Sequence, residues 1–149
     1  MSNAADMSFT ATRHIRDHCL CLHAQRAARV LARQFDEALR PVGLTNGQFS
    51  LLNALNRPQP ARMASVTAVL GMDRTTLTAA LKPLERRGLI EVTADPDDRR
   101  SKLLALTRAG RALLARAVPI WKDTHGEIED RAGDAERLRR DLRALVPPI

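Results

Sequence analysis

The chain has 149 residues, enough for one domain with a proper core and too few to require two. Hydrophobic residues make up 44%, which excludes a disordered chain, and with aromatics at 3% and no tyrosine, alanine and leucine dominate and favour helix. The formal net charge is +7, from 24 Lys+Arg against 17 Asp+Glu. This favours a polyanionic partner, and no window approaches the ~20 apolar residues of a membrane span.

Nearly all the positive charge is arginine, the better residue for forked contacts to phosphate and guanine. A membrane-surface role would want a basic amphipathic helix with large apolar residues opposite, and none stands out. The N-terminus has no charged-then-apolar signal pattern, so a cytoplasmic protein is expected. Ser2-Asn3-Ala4 reads as a cloning scar and is excluded from fold reasoning.

From Ile15 to Leu39 the apolar residues step by three and four: Ile15, Cys19, Leu22, Ala27, Val30, Leu31, Phe35 and Leu39. That spacing predicts one long amphipathic helix, stopped by Pro41 and Gly43. Thr45-Asn46-Gly47-Gln48 is a capping-box pattern opening a second helix through Phe49, Leu51, Leu52 and Leu55, which Pro58 and Pro60 end. A short third helix, roughly Arg62 to Leu70, places Met63, Val66 and Leu70 inward, and Gly71 supplies a turn. Asp73 is a good N-cap for a fourth helix with Leu77, Leu81 and Leu84 inward and Gly88 as its stop. Two apolar helices joined by a glycine-containing turn are the helix-turn-helix signature.

Leu89 to Thr93 and Lys102 to Leu106 read as short strands joined by the turn Asp95-Pro96-Asp97-Asp98. Helix follows from Thr107 to about Arg131, then a last helix from Asp134 to Leu145. The fold class is mainly α with a small β-hairpin wing: a winged helix-turn-helix flanked by long N- and C-terminal helices.

On the fourth helix Arg74, Thr75, Thr78, Ala79 and Lys82 share the face opposite the leucines. Threonine offers a hydroxyl and a methyl to base edges, and arginine forks onto guanine. Lys82 suits a phosphate, and Arg86 and Arg87 either touch the backbone or keep the helix end soluble. An ordinary solvated face has the same composition, and helix-turn-helix patterns alone are frequent false positives. The hairpin tip, with Arg99, Arg100 and Lys102, follows at once in the chain, where it can enter the adjacent minor groove.

The segment Asp98-x-Arg100, five further residues and Leu106-Thr107-x-x-Gly110, with Gly71-Met72-Asp73-Arg74-Thr75-Thr76-Leu77-Thr78, resembles the MarR (multiple-antibiotic-resistance regulator) family of bacterial transcription factors. The resemblance extends over nearly the whole chain. It implies one domain over residues 1–149, with dimerisation helices at about 10–42 and 108–146 and a winged helix-turn-helix at about 45–107. It implies a sequence-specific regulator, most often a repressor, that binds a palindromic operator as a homodimer. Arg100 would enter the minor groove and Asp98 would hold the wing in shape. The DNA-binding set is Arg74, Thr75, Thr76, Thr78, Lys82, Asp98, Arg99, Arg100 and Lys102, with no cofactor and no catalytic residue. Pro83 departs from the family, where a basic residue is frequent; it removes a backbone donor and threatens a kink.

Independently of the resemblance, Ile120, Trp121 and Ile128, then Leu138, Leu142 and Leu145, form apolar stripes that a small winged core cannot bury alone, which marks an interface. A twofold dimer would set two reading helices about one DNA turn, roughly 34 Å, apart.

His14, His18, Cys19, Cys21 and His23 crowd into the start of the first helix, and three readings stay open. The cysteines pack as small apolar residues beside surface histidines; or Cys21 and Cys19 sense oxidants; or His14 and His18 seed a metal site with His125, Glu127 or Cys21, although no ligand set is complete. The Cys21-to-Gln48 spacing resembles the organic-hydroperoxide-sensing branch of the family. That branch activates its cysteine with tyrosines, whereas Phe35 and Asn46 stand here. Within one helix Cys19 and Cys21 would point about 200° apart.

The family also binds small aromatic or apolar effectors between the dimerisation helices and the winged domain, for which His18, Leu22, Phe49, Leu52 and Trp121 are the candidates. Rival classes are a non-specific architectural DNA-binding protein, a protein-interaction module reusing the fold, and an enzyme. The last has no support: there is no Gly-rich phosphate loop, no His-Glu-x-x-His helix and no cysteine with an evident base.

Overall fold

The computed structural model describes residues 8–148; Ser2, Asn3 and Ala4 lie outside the described residues. Seven α-helices and three strands follow one another in this order among them: α1 (Phe9–His18), α2 (Leu20–Leu39), α3 (Asn46–Ala54), β1 (Ala61–Arg62), α4 (Met63–Leu70), α5 (Arg74–Arg86), β2 (Ile90–Ala94), β3 (Lys102–Leu106), α6 (Arg108–Ala132) and α7 (Ala135–Ala144). The sheet is antiparallel with β3 in the middle, β2 and β1 on its edges. This is the helical fold with a hairpin wing that the periodicity predicts.

The first helix is a correction. It is not continuous: Cys19 sits at φ −69°, ψ 108°, closing α1 through its N–H to the Ile15 carbonyl (2.9 Å) and opening α2 with Sγ accepting the Leu22 N–H (3.4 Å). Cysteine is a poor helix former, and a single extended residue leaves the apolar spacing on either side intact. The His18 ring folds back on the same turn, its Nδ1 bonding the His14 carbonyl at 2.9 Å.

Local signals elsewhere translate directly. Thr45 and Gln48 complete the capping box, with the Thr45 N–H donating to Gln48 Oε1 at 3.1 Å and the Gln48 N–H to Thr45 Oγ1 at 3.2 Å. Gly71 takes φ 64°, the left-handed conformation that ends α4 and turns the chain into α5. Pro83 does not break α5, which runs on to Arg86; the cost is confined to the missing donor, which frees the Ala79 carbonyl from its α-helical partner.

Leu39, Leu52, Val66, Leu77, Leu84 and Leu104 are fully buried, drawing α2 through α5 and the sheet onto one core; burial of each such side chain contributes about 1.5–3 kcal/mol. Ile120, Trp121 and Ile128 pack partly against that core, so α6 serves its own subunit. The apolar stripe of α7 stays exposed, Leu138 and Leu142 by about half and Leu145 by more, as do Ile15 of α1 and Val30 of α2. No helix among the described residues is long and apolar enough to cross a membrane.

Candidate nucleic-acid interface

The N-terminus of α5 is held by Asp73. Its Oδ1 accepts the Thr76 N–H at 2.7 Å and its Oδ2 accepts the Thr76 hydroxyl at 3.0 Å. These bonds, the backbone one foremost, hold the Asp73 carboxyl below its ordinary value. Thr76, predicted as a DNA contact, thus directs its hydroxyl to the cap. Arg74, Thr75, Thr78, Ala79 and Lys82 line one shallow exposed cleft of about 400 Å³. The Thr78 hydroxyl donates to the Arg74 carbonyl at 2.8 Å, which leaves its lone pairs free to accept from a base amino group.

Asp98 shapes the wing tip: its Oδ1 accepts the Arg100 N–H at 3.0 Å and its carbonyl the Ser101 N–H at 2.9 Å. Arg99, Arg100 and Lys102 stand exposed around it, Lys102 opposite Ala94 in the β2–β3 register. Helix α5 and the wing are joined, because Arg74 Nη2 donates to the Arg100 carbonyl at 3.2 Å. Sequence reasoning missed this bond, and also the structural use of Arg87, whose Nη1 donates to the Gly43 carbonyl at 3.0 Å. Both span long stretches of chain that no periodicity reports.

The hairpin meets α6 at Thr107. Its hydroxyl donates to the Gly88 carbonyl (2.6 Å) and accepts the Gly110 N–H (3.0 Å), while its own N–H donates to the Leu89 carbonyl (3.1 Å). This gives the Leu106-Thr107-x-x-Gly110 spacing a physical meaning: it welds the base of the wing to the long helix.

Of the candidate effector residues, Phe49 and Trp121 line a cavity of about 400 Å³ together with Ser50, Asn53, Ala54, Val69, Leu70 and Val118. Their rings lie 6.3 Å apart and nearly parallel. Leu52 is sealed in the core, and His18 and Leu22 lie off this wall, on α1 and the start of α2. Behind the cavity Trp121 stacks on His125 at 4.5 Å, and His125 Nδ1 lies 3.8 Å from Glu129. Glu129 in turn pairs with Arg139 of α7 at 2.7 Å, and Arg139 bonds Glu136. The Arg139 bond holds the Glu129 carboxyl below the ordinary range, and bonds from Arg143 and then Arg139 do the same for Glu136.

Cys21 is exposed and its Sγ accepts from Gln25 Nε2 at 3.4 Å. The His14 and His18 rings stack on each other at 4.2 Å. Among the described residues no three His, Cys, Asp or Glu side chains converge as a metal site would require.

A sequence model of the MarR family matches residues 44–102, from just before α3 to the first residue of β3. Among solved structures, the transcriptional regulator MosR of Mycobacterium tuberculosis in complex with DNA is similar at 43% identity and TM-score 0.80, over 86% of this chain and 93% of that one. The transcriptional repressor CouR bound to a 23-mer DNA duplex is similar at 34% identity and TM-score 0.69, over 88% and 92%; a second CouR structure, from Rhodococcus jostii RHA1, holds p-coumaroyl-CoA. The transcriptional activatory protein BadR of Rhodopseudomonas palustris is 34% identical over 69% of this chain, which spans 61% of BadR's length.

Proposed function

The chain belongs to the MarR family of DNA-binding transcriptional regulators, which are not enzymes, and from that premise we propose that it reads a palindromic operator as a cytoplasmic homodimer and represses until an effector or stress releases it. The observation that carries this reading is the Arg74–Arg100 bond. It joins a threonine- and arginine-bearing helix face to a cationic hairpin tip, one suited to a major groove and the other to the minor groove beside it. The exposed apolar stripes of α1, α2 and α7 support the dimer, since apolar surface of that extent marks an interface.

The cavity lined by Phe49 and Trp121 carries no charged side chain on its wall. Its occupant on this reading is a small, flat, uncharged aromatic or apolar effector, oriented by Ser50 and Asn53.

Selection of bound duplexes from a random library tests the reading. The expected result is a symmetric consensus bound by two subunits, weakened by a neutral aromatic. Equal affinity for all duplexes would leave an architectural protein instead. An absence of binding at low ionic strength would leave a protein-interaction module. A reporter carrying the consensus distinguishes repression from activation.

A redox-responsive regulator is the second reading, favoured by the interruption at Cys19. The two thiols no longer share one helix, so the 200° separation that would keep them apart does not hold. A hydroperoxide would oxidise the Cys21 thiolate to a sulfenic acid with loss of an alcohol, and Cys19 would displace water to form the disulfide. Loss of two mass units under peroxide, abolished in Cys21→Ser, supports it; no mass change with unaltered DNA release rejects it.

A further inference from the structure

Below the wing turn lies a carboxylate that looks in sequence like an ordinary turn residue. Asp95 is only 2% exposed. Its Oδ1 accepts the Asp97 N–H at 2.9 Å, its carbonyl accepts the Asp98 N–H at 3.3 Å, and its own N–H donates to the Ser101 carbonyl at 3.2 Å. Its Oδ2 is buried without a hydrogen-bond partner. The group facing that oxygen is Arg62, whose Nη2 lies 3.4 Å away, within ion-pair range, and 3.8 Å from Asp97 Oδ2.

A buried carboxylate needs a compensating charge, because water no longer screens it. Arg62 supplies one from a rigid place: it pairs with Leu103 across β1 and β3 and is the N-cap of α4. Three aspartates in one turn invite a metal reading, but Asp98 Oδ1 is committed to the Arg100 N–H, and the cation already in place is a guanidinium. Between the start of α4 and the wing a cleft of about 350 Å³ remains, bordered by Thr67, Arg74, Asp98 and Arg100. The Arg74 bond ties the tip across that cleft, and Arg62 is the tie on the β1 side.

We infer that Arg62 is a positioning residue for DNA reading: through Asp95 it fixes the height of the wing, so that Arg100 reaches the minor groove while the α5 face sits in the major groove. The inference rests on the DNA-reading role proposed above. Arg62 makes no DNA contact of its own in this arrangement. Its effect passes entirely through the wing.

The test is a double-mutant cycle of Arg62→Gln and Arg100→Ala on the full chain, with the duplex recovered by library selection as probe, alongside amide exchange of residues 97–101 without DNA. Arg62→Gln is expected to lower affinity for that duplex about tenfold alone and to add nothing in the Arg100→Ala background. It should also speed exchange at the turn while circular dichroism stays unchanged, and Arg62→Lys should recover part of the loss. Full additivity, with a salt slope lower by about one, would make Arg62 a phosphate contact and overturn the inference. Unchanged exchange would overturn it too. If wild type binds no duplex, the DNA-reading role fails separately, and the exchange comparison still decides whether Arg62 holds the wing.

Discussion

Arg74 Nη2 and the Arg100 carbonyl meet at 3.2 Å across 26 residues of chain, so α5 and the wing tip form one unit. A single helix-turn-helix offers a groove only one cationic surface. Here the first turn of α5 carries a guanidinium that bonds the wing through one nitrogen and keeps its remaining donors for a base edge or phosphate. Asp73 beneath it fixes that turn through Thr76.

Arg74→Lys keeps the charge and loses the fork. Lysine is a point charge that cannot hold a carbonyl and reach a base edge in one plane. Affinity for the selected duplex should fall by about 1–3 kcal/mol while affinity for random duplex and the salt slope stay the same. Fluorescence anisotropy at several salt concentrations measures both; equal binding by the lysine variant would show that only charge is used.

Arg100→Ala should weaken binding to the selected duplex by about 1–3 kcal/mol and relax preference at the minor-groove positions. Because the side chain is exposed at the tip and contributes only its backbone to the turn and to Arg74, circular dichroism and oligomeric state should not change. Unchanged affinity in a gel-shift assay would refute the wing assignment.

Lys82 lies one turn beyond Thr78 and lines the same cleft; on the proposed reading it meets a phosphate. Lys82→Ala should weaken all duplexes alike and flatten the salt slope by about one. A loss of sequence preference in a competition assay would instead mean that Lys82 touches bases.

What the sequence makes legible here is local. Asp73 before an apolar period, Thr45 three residues ahead of Gln48, and a Pro-Asp turn between two short strands each encode their geometry within a few residues, and the structure shows a cap, a capping box and a hairpin there. What escapes is set by partners far along the chain. Strand β1 has two residues and exists only because β3 pairs with it. Asp95 reads as a turn aspartate, and its burial beside Arg62, 3.4 Å away, joins residues 33 apart in the chain. Arg87 looks like a solubilising charge until Gly43 arrives beneath it. The break at Cys19 escapes for the opposite reason: one extended residue does not disturb an apolar pattern of period 3.6. In the cavity, Phe49 and Trp121 carry a recognisable aromatic signal, whereas Ser50, Asn53 and Val69 have none.

Acid should loosen the start of α5 and the α6–α7 junction. The Asp73 carboxyl is held below its ordinary 3.8, first by the Thr76 backbone bond and then by the Thr76 hydroxyl. A depressed folded-state value means stability that is present above 3.8 and lost as pH falls through the folded value. Asparagine caps about as well as aspartate, so Asp73→Asn should resemble wild type in thermal melting near neutral pH and lack this part of the acid loss. The Glu129 and Glu136 carboxyls, held below 4.5 foremost by hydrogen bonds from Arg139 and Arg143 respectively, act in the window just above. Glu129→Gln should flatten the loss there, and identical acid limbs in all three proteins would remove these carboxylates as the cause.

Gly110 gives the sharpest test of the packing at the base of the wing. A Cβ built on it overlaps the Leu89 carbonyl oxygen and falls 3.0 Å from its carbon and 3.3 Å from Leu106 Cδ2. Leu89 cannot retreat freely, because the same oxygen accepts the Thr107 N–H and sits where the chain enters β2. Gly110→Ala should therefore destabilise by about 1–3 kcal/mol or more, with DNA affinity falling further as the wing shifts on α6. Gly126 lies in the same helix, and a methyl placed on it meets nothing within 4 Å, so Gly126→Ala should stabilise by about 0.5–1 kcal/mol through helix propensity alone. Urea unfolding of the two variants reads opposite signs from one chemical change. Equal stability of Gly110→Ala and wild type would mean that α6 does not approach the hairpin as closely as this packing requires.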